Sequence, residues 1–370
     1  MKTNLFSYIK NAVKSDPLML FTDSVRIAAL LLAFAIILTD KMGCIFRAAE
    51  RTDVSEQVPT DDELMSGFDE LIPENDDIII EKDHPLGIGI YDKLFISESK
   101  PTPNGELKIV NTDLSQNPLP EGVLIKNNTT YAFKISDYLT MKDKKLDESK
   151  KYDPSEPIVL IYHTHGTEGY AEEGKSSYSP SSLPRSRDIT KNVVAVGKAL
   201  CEILNENGIP ALHDTVMHDD GSYNTAYNNS AKSIKEYLKK YPSIKYCFDI
   251  HRDALVSSTS VYKTVTYDES TPLAQIMFVV GTDSAGANHK TWKRCMSFAV
   301  NAQYYLASRL NNLIRPISIK QSSYNQQYPY VGALIEVGTC ANTLKEALNS
   351  TKILGDVISS MILSELDLYQ

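Results

Sequence analysis

The chain has no CxxC pair among its five cysteines, Cys44, Cys201, Cys247, Cys295 and Cys340, and that spacing excludes a zinc ribbon or a thioredoxin-like site. An odd count leaves at least one thiol free, and the last four read as small buried hydrophobes. Cys44 follows an apolar segment as a lipoprotein cysteine does, but the preceding Lys41, Met42 and Gly43 do not match that signal. GxSxG is absent, which removes the usual serine-nucleophile elbow, and no glycine-rich loop is present to cradle phosphate. Basic clusters are also missing: 38 Lys and Arg stand against 47 Asp and Glu, a formal net charge of -9. Phosphate backbones need clustered positive charge, so nucleic acid is not expected as a partner.

What is present begins with an apolar run at residues 27–38 (IAALLLAFAIIL), behind Lys2, Lys10, Lys14 and Arg26. Basic residues before an apolar core place the N-terminus in the cytoplasm and export the remainder. A spanning helix needs about 20 residues, so the expected anchor is residues 25–46, following a basic segment at 1–24. No clear A-x-A site follows, which favours an uncleaved anchor over a signal peptide; a buried core helix is the other alternative. Residues 47–84 are acidic and poor in aromatics, the composition of a flexible tether. Residues 85–150 hold short β-like pieces at 106–110 and 122–125, separated by Pro and Asn clusters, and read as a β-rich lead-in ending in a charged linker.

From residue 157 apolar strands alternate with helical segments. Residues 158–162, 244–250, 275–280 and 333–337 read as strands, and 211–213 as a short one. Residues 189–207, 223–241, 292–314 and 344–366 carry helical periodicity, with Gly208 and Pro242 as stops. The expected fold class is α/β, a mostly parallel sheet covered by helices over residues 157–370. In such sheets the chemistry sits at the carboxyl ends of the strands.

Those ends carry His163, His165 and Glu168 (HTHGTE), then Asp249, His251, Arg252 and Asp253 (DIHRD), and Glu336 within the last strand. Two imidazoles and a carboxylate can hold Zn2+ with water in the open position. A further carboxylate must take the water's proton and return it to the leaving amine, and Glu336 among apolar neighbours fits that task. His163 and His165, two apart on a strand, are expected to face the same way, so either is a candidate ligand. Glu168 is a ligand candidate or a cap for the following segment. Asp249, Arg252 and Asp253 suit the partner groups that orient a ligand imidazole; alternatively Arg252 and Asp253 form a local ion pair. His84, His213, His218 and His289 show no partner pattern and are expected at the surface. The polar, tyrosine-bearing loops at 176–187 and 321–332 flank the site strands and can line a groove.

On the residues IYHTHGTEGY, SYNTAYNNSAKSIKEYL, YCFDIHRDA, AQIMFVVGTD and YNQQYPYVGALIEVGTCANTLKEA, the sequence resembles the stage II sporulation protein P family. The resemblance runs in register from about residue 157 to the C-terminus, and loosely over the anchor and tether. It implies a zinc-amidase-like, phosphorylase/hydrolase-like α/β domain that cuts between N-acetylmuramic acid and L-alanine in peptidoglycan, and also stem crosslinks. The implied setting is engulfment of the forespore, from a single-pass membrane anchor, with the catalytic domain in the septal space. The implied partners are the lytic transglycosylase called stage II sporulation protein D and an associated membrane protein. His165 and His251 correspond to metal ligands and Glu336 to the catalytic glutamate. The family's third ligand is a Glu opening the helix after the first strand; here that helix offers only Asp188 and Asn192, so Glu168 takes the place. Two rival readings are a metal-free wall-binding or docking protein on this scaffold, and a zinc peptidase acting on other exported proteins.

Overall fold

The computed structural model describes residues 105–115, 123–140, 156–179 and 184–366. The expected anchor, tether and most of the charged linker lie outside the described residues. Among the described residues no helix is long and apolar enough to cross a membrane.

The main sheet has seven strands in the order β2-β10-β9-β11-β6-β3-β5. They are β2 (Ile125–Asn127), β3 (Val159–Tyr162), β5 (Ala211–His213), β6 (Tyr246–Asp253), β9 (Ile276–Gly281), β10 (Ile317–Lys320) and β11 (Val331–Thr339). Every neighbouring pair is parallel except β9 with β11, which is antiparallel. The sheet is therefore mixed: a parallel block β11-β6-β3-β5 meets a second parallel block, β9-β10-β2, running the other way. The carboxyl ends of β3, β6 and β11 share one edge, and those of β2, β9 and β10 share the opposite edge.

Both faces of the sheet are covered, which explains the unbroken apolar runs in its strands. In β3, Val159 and Ile161 point into a core shared with helices α1 (Val193–Glu206), α3 (Trp292–Arg309) and α4 (Leu344–Leu366), including Val196, Leu200, Phe298, Leu354 and Ile358. Leu160 and Tyr162 point the other way and pack with Cys247 against Ile234 of α2 (Ala226–Lys240). Helix α1 opens where Asn192 caps it, its side chain accepting from the Val194 amide at 3.0 Å. It closes at Gly208, whose φ of +79° is readily adopted only by glycine.

A second sheet of four strands, β4-β1-β7-β8, sits beside the first. It comprises β1 (Leu107–Thr112), β4 (Ser177–Tyr178), β7 (Ser260–Asp268) and β8 (Thr271–Ala274). The expected separation of a lead-in at 85–150 from a domain starting at 157 does not hold. Strand β1 pairs with β4 and β7, and β2 pairs with β10, so both are woven into the sheets of the C-terminal region. Buried side chains from that region also bind the early segments. Gln303 Oε1 accepts from the Leu124 amide at 2.6 Å, and Gln275 Oε1 accepts from the Leu114 amide at 2.8 Å. Cys247, Cys295 and Cys340 are buried as expected, while Cys201 is only partly so.

Candidate active site

The parallel block sets the site. Tyr162 of β3 lies in register with Asp249 of β6, and Glu336 of β11 lies in register with His251 of β6. Alternation along β6 then turns Asp249 and His251 to the face covered by α2, together with Glu336. The turn after β3 brings in His165, whose ring centroid is 5.5 Å from that of His251. Glu168 follows, its Oε2 placed 3.3 Å from His251 Nδ1 and accepting from the Arg252 amide at 3.1 Å. Its backbone carbonyl also accepts from Val193 at the start of α1, so the capping role belongs to its main chain.

His163 and His165 do not face the same way. The chain leaves the strand after Tyr162, and His163 continues the alternation onto the α1 face. There its Nδ1 donates to the Ile250 carbonyl at 3.0 Å, which leaves Nε2 to accept from His213 Nε2 at 2.8 Å. Burial lowers the pKa of His163 to about 3 and that of His213 to about 4, so the pair is neutral. His163 is thereby removed from the site that holds His165. His218 and His289 are buried, and His213 is half-buried, so these three are not the surface residues expected. His218 Nε2 lies 3.4 Å from Asp214 Oδ2; His84 lies outside the described residues.

Arg252 and Asp253 do not pair with each other, because adjacent strand residues point to opposite faces. Arg252 donates to the carbonyls of Gly169 and Pro184, both at 3.0 Å, and clamps the loops around Glu168. Asp253 instead pairs with Arg315 at 2.5 Å. Asp188 lies at the surface, bound to Thr190 and Lys191, and Asn192 is spent as the α1 cap. Neither reaches the histidines.

The electrostatics centre on His251. Burial opposes a charge there, yet Asp249 and Glu168 outweigh it and lift its pKa well above the usual imidazole value. Burial likewise opposes ionisation of Glu168, but His251 and Arg252 hold its carboxyl well below the ordinary range. Asp249 is fixed by Thr164, whose amide donates at 2.8 Å and whose hydroxyl donates at 2.6 Å. Glu336 behaves oppositely: burial, then the Asp253 carboxylate, push its pKa up to about 8. The residue is half-buried, but its Oε2 is sealed and has no hydrogen-bond partner.

Three residues outside the strand-end motifs join the site. Asp219 is buried, accepts from the Thr167 hydroxyl and amide and from Arg185, and lies 3.8 Å from His165 Nδ1. Tyr223 stacks on His165 with centroids 4.2 Å apart, and Tyr227 meets the same ring edge-on at 5.6 Å. The two tyrosines are four apart at a helix start on the site edge, a spacing that could have flagged them; Asp219 is brought in only by the path of its loop. One residue from each of the polar loops at 176–187 and 321–332 reaches a site tyrosine. Arg185 sits 5.2 Å over the Tyr223 ring, and Tyr324 meets Tyr227 at 5.7 Å.

Among the described residues no three His, Cys, Asp or Glu side chains form a ready-made metal-holding group, since Glu168 is turned onto His251 and the Arg252 amide. The donor set itself suits zinc: two imidazoles and a carboxylate in one buried cluster. His165 Nδ1 is buried without a partner, and so is His251 Nε2, which lies 2.9 Å from Asp249 Oδ1 but not in hydrogen-bonding alignment.

The family model described as stage II sporulation protein P matches residues 102–359. The chain belongs to this family. Stage II sporulation protein P of Bacillus subtilis (strain 168) is 25% identical over 261 residues, 67% of this chain. The match spans 62% of that relative's length. Among solved structures, the chain is similar to the N-acetylmuramoyl-L-alanine amidase AmiC2 of Nostoc punctiforme, at 13% identity and a TM-score of 0.32, covering 57% of this chain and 97% of that one. It is also similar to the CwlD amidase from Clostridioides difficile in complex with the GerS lipoprotein, at 16% identity and a TM-score of 0.34, covering 57% and 99%. The match to the sporulation family takes in β1 and β2, in keeping with their place in the sheets.

Proposed function

We propose that this chain is a zinc-dependent peptidoglycan hydrolase that cleaves the amide between N-acetylmuramic acid and L-alanine, and also stem-peptide crosslinks. One observation carries the reading. His165, His251 and Glu336 meet at the carboxyl edge of three adjacent parallel strands, and Glu336 keeps a sealed, unpartnered carboxyl oxygen there. His165, Glu168 and His251 would hold the zinc. When bound, the ion polarises a carbonyl and lowers the pKa of its water to about 7.

The remaining work belongs to the chain. Asp249 lies against the His251 ring and is held in turn by the Thr164 amide and hydroxyl, which keeps the imidazole in place. Glu336 takes the proton of the attacking water at its carboxylate and returns it to the amine nitrogen as the C–N bond breaks. A raised pKa suits the return of the proton to nitrogen, and a cation held by the neighbouring residues would favour the carboxylate form that takes it from water. In the cell, the domain would lie outside the membrane, anchored by residues 25–46 and tethered by residues 47–84. It works there on septal wall beside the transglycosylase stage II sporulation protein D and its membrane associate.

The test uses the full chain in detergent with purified peptidoglycan, with added zinc or with a chelator, and products identified by mass. Zinc-dependent release of peptide stems beginning with alanine, from unbroken glycan, is the expected result. A zinc-loaded chain that releases nothing would instead support a wall-docking protein, and cleavage of plain peptides alone would support an exported peptidase.

A further inference from the structure

An amide hydrolase needs a donor for the negative charge that builds on the carbonyl oxygen in the transition state. Most polar donors around His165 are already committed. Arg252 is bound to the carbonyls of Gly169 and Pro184, Arg185 to Asp219 and the Thr167 hydroxyl, and the Thr164 hydroxyl to Asp249. Tyr223 is 41% exposed and lies flat on the His165 ring, its interplanar angle only 9°.

Tyr227 is different. It stands in the first turn of α2, at the edge of the sheet where the site lies, and is half-buried. Its ring meets His165 edge-on at an interplanar angle of 86° and also meets the Tyr324 ring, with centroids 5.7 Å apart. The Asn325 side chain donates to its backbone carbonyl at 2.8 Å, which ties the loop carrying Tyr324 to the helix. Both Tyr324 and Asn325 hold positive φ, +50° and +58°, in making that tie. Among the described residues the Tyr227 hydroxyl makes no hydrogen bond, and burial, then the Asp249 carboxylate, hold its pKa well above the usual phenol value.

We infer that Tyr227 is a catalytic residue whose hydroxyl donates a hydrogen bond to the carbonyl oxygen of the scissile amide as the tetrahedral state forms. The inference rests on the amidase reading above. As the water oxygen bonds to the carbonyl carbon, the carbonyl π pair moves onto oxygen, and Tyr227 holds that oxygen without giving up its proton. On collapse the oxygen pair returns to carbon as the C=O bond, the C–N pair leaves on nitrogen, and nitrogen takes the proton that Glu336 accepted from the water. A phenol is neutral and protonated at working pH, so the donor carries no charge that would repel a metal ion.

The test is Tyr227→Phe in the full chain, which keeps the ring contacts and removes only the hydroxyl. Kinetics on a soluble muropeptide, zinc content and thermal melting are measured together. The expected result is a kcat lower by on the order of 10²-fold, with KM within about twofold, and zinc content and melting temperature unchanged. An undiminished kcat, in a wild type that does release stems, overturns this inference alone. Loss of zinc in parallel with kcat overturns it too, because the ring would then act through His165. A zinc-loaded wild type that releases nothing overturns the amidase reading and this inference with it.

Discussion

Glu168 is buried and Glu336 half-buried at the edge of the same sheet, and their surroundings drive the two carboxyls in opposite directions. Glu168 faces His251 and Arg252 and stays ionised. Glu336 faces burial and the Asp253 carboxylate and holds its proton up to about pH 8. The metal-free chain should show this in its stability. The folded pKa of Glu336 is raised above its ordinary 4.5, so its contribution is fully present below that value and is lost as pH rises through about 8. Wild type should therefore lose stability relative to Glu336→Gln across that window, measured by urea denaturation of chelator-treated protein at a series of pH values. A constant difference from pH 4 to 9 would mean that Glu336 is not desolvated in solution. The same variant should bind zinc normally while its kcat falls by about 10²–10⁴-fold; normal turnover would remove Glu336 from the proton-transfer role.

At the scale of elements, helix α1 and strands β1 and β2 carry two further predictions. Gly197 lies in α1 against the His163 ring, and an added Cβ would fall 2.5 Å from its Cε1 and Nε2 and 2.9 Å from His213 Nε2. The ring cannot retreat without breaking its bond to Ile250. Gly197→Ala should gain about 1 kcal/mol in helix propensity yet lose about 1–3 kcal/mol to overpacking. No net stabilisation is expected, and a clear rise in the urea midpoint would show that the imidazole pair yields. Strands β1 and β2 set the second prediction. A chain beginning at residue 142 would remove both, leaving the fully buried Gln275 and Gln303 without the Leu114 and Leu124 amides they serve. Each buried amide oxygen left without its donor costs about 1–3 kcal/mol, and the four-stranded sheet loses an inner strand. That fragment should be unfolded or insoluble by circular dichroism, whereas a chain beginning at residue 102 should fold. Equal folding of the two would separate the early strands from the domain after all.

For the molecule as a whole, zinc is expected to act as a ligand of the folded state. At free metal about a hundredfold over Kd, the gain is about 2.7 kcal/mol. For a domain of this size that raises the melting temperature by roughly 5–10 °C. His251→Ala should abolish the rise, and an unchanged zinc-dependent shift in that variant would take His251 off the ligand set. The sequence by itself carried the α/β class, because apolar runs and helical stripes are local patterns that survive without partners. It also carried the grouping of His165, Glu168, His251 and Glu336, because each follows or sits in a strand and parallel strands end together. Other features came only with tertiary structure. The antiparallel join of β9 to β11, the weaving of β1 and β2 into the sheets, the turning of His163 away from His165, and the arrival of Asp219 and Tyr227 all belong here. Periodicity records which face a residue takes along its own strand. It does not record which strand lies alongside, in which direction, or where a loop carries its side chains, since those are decided by packing between segments far apart in the chain.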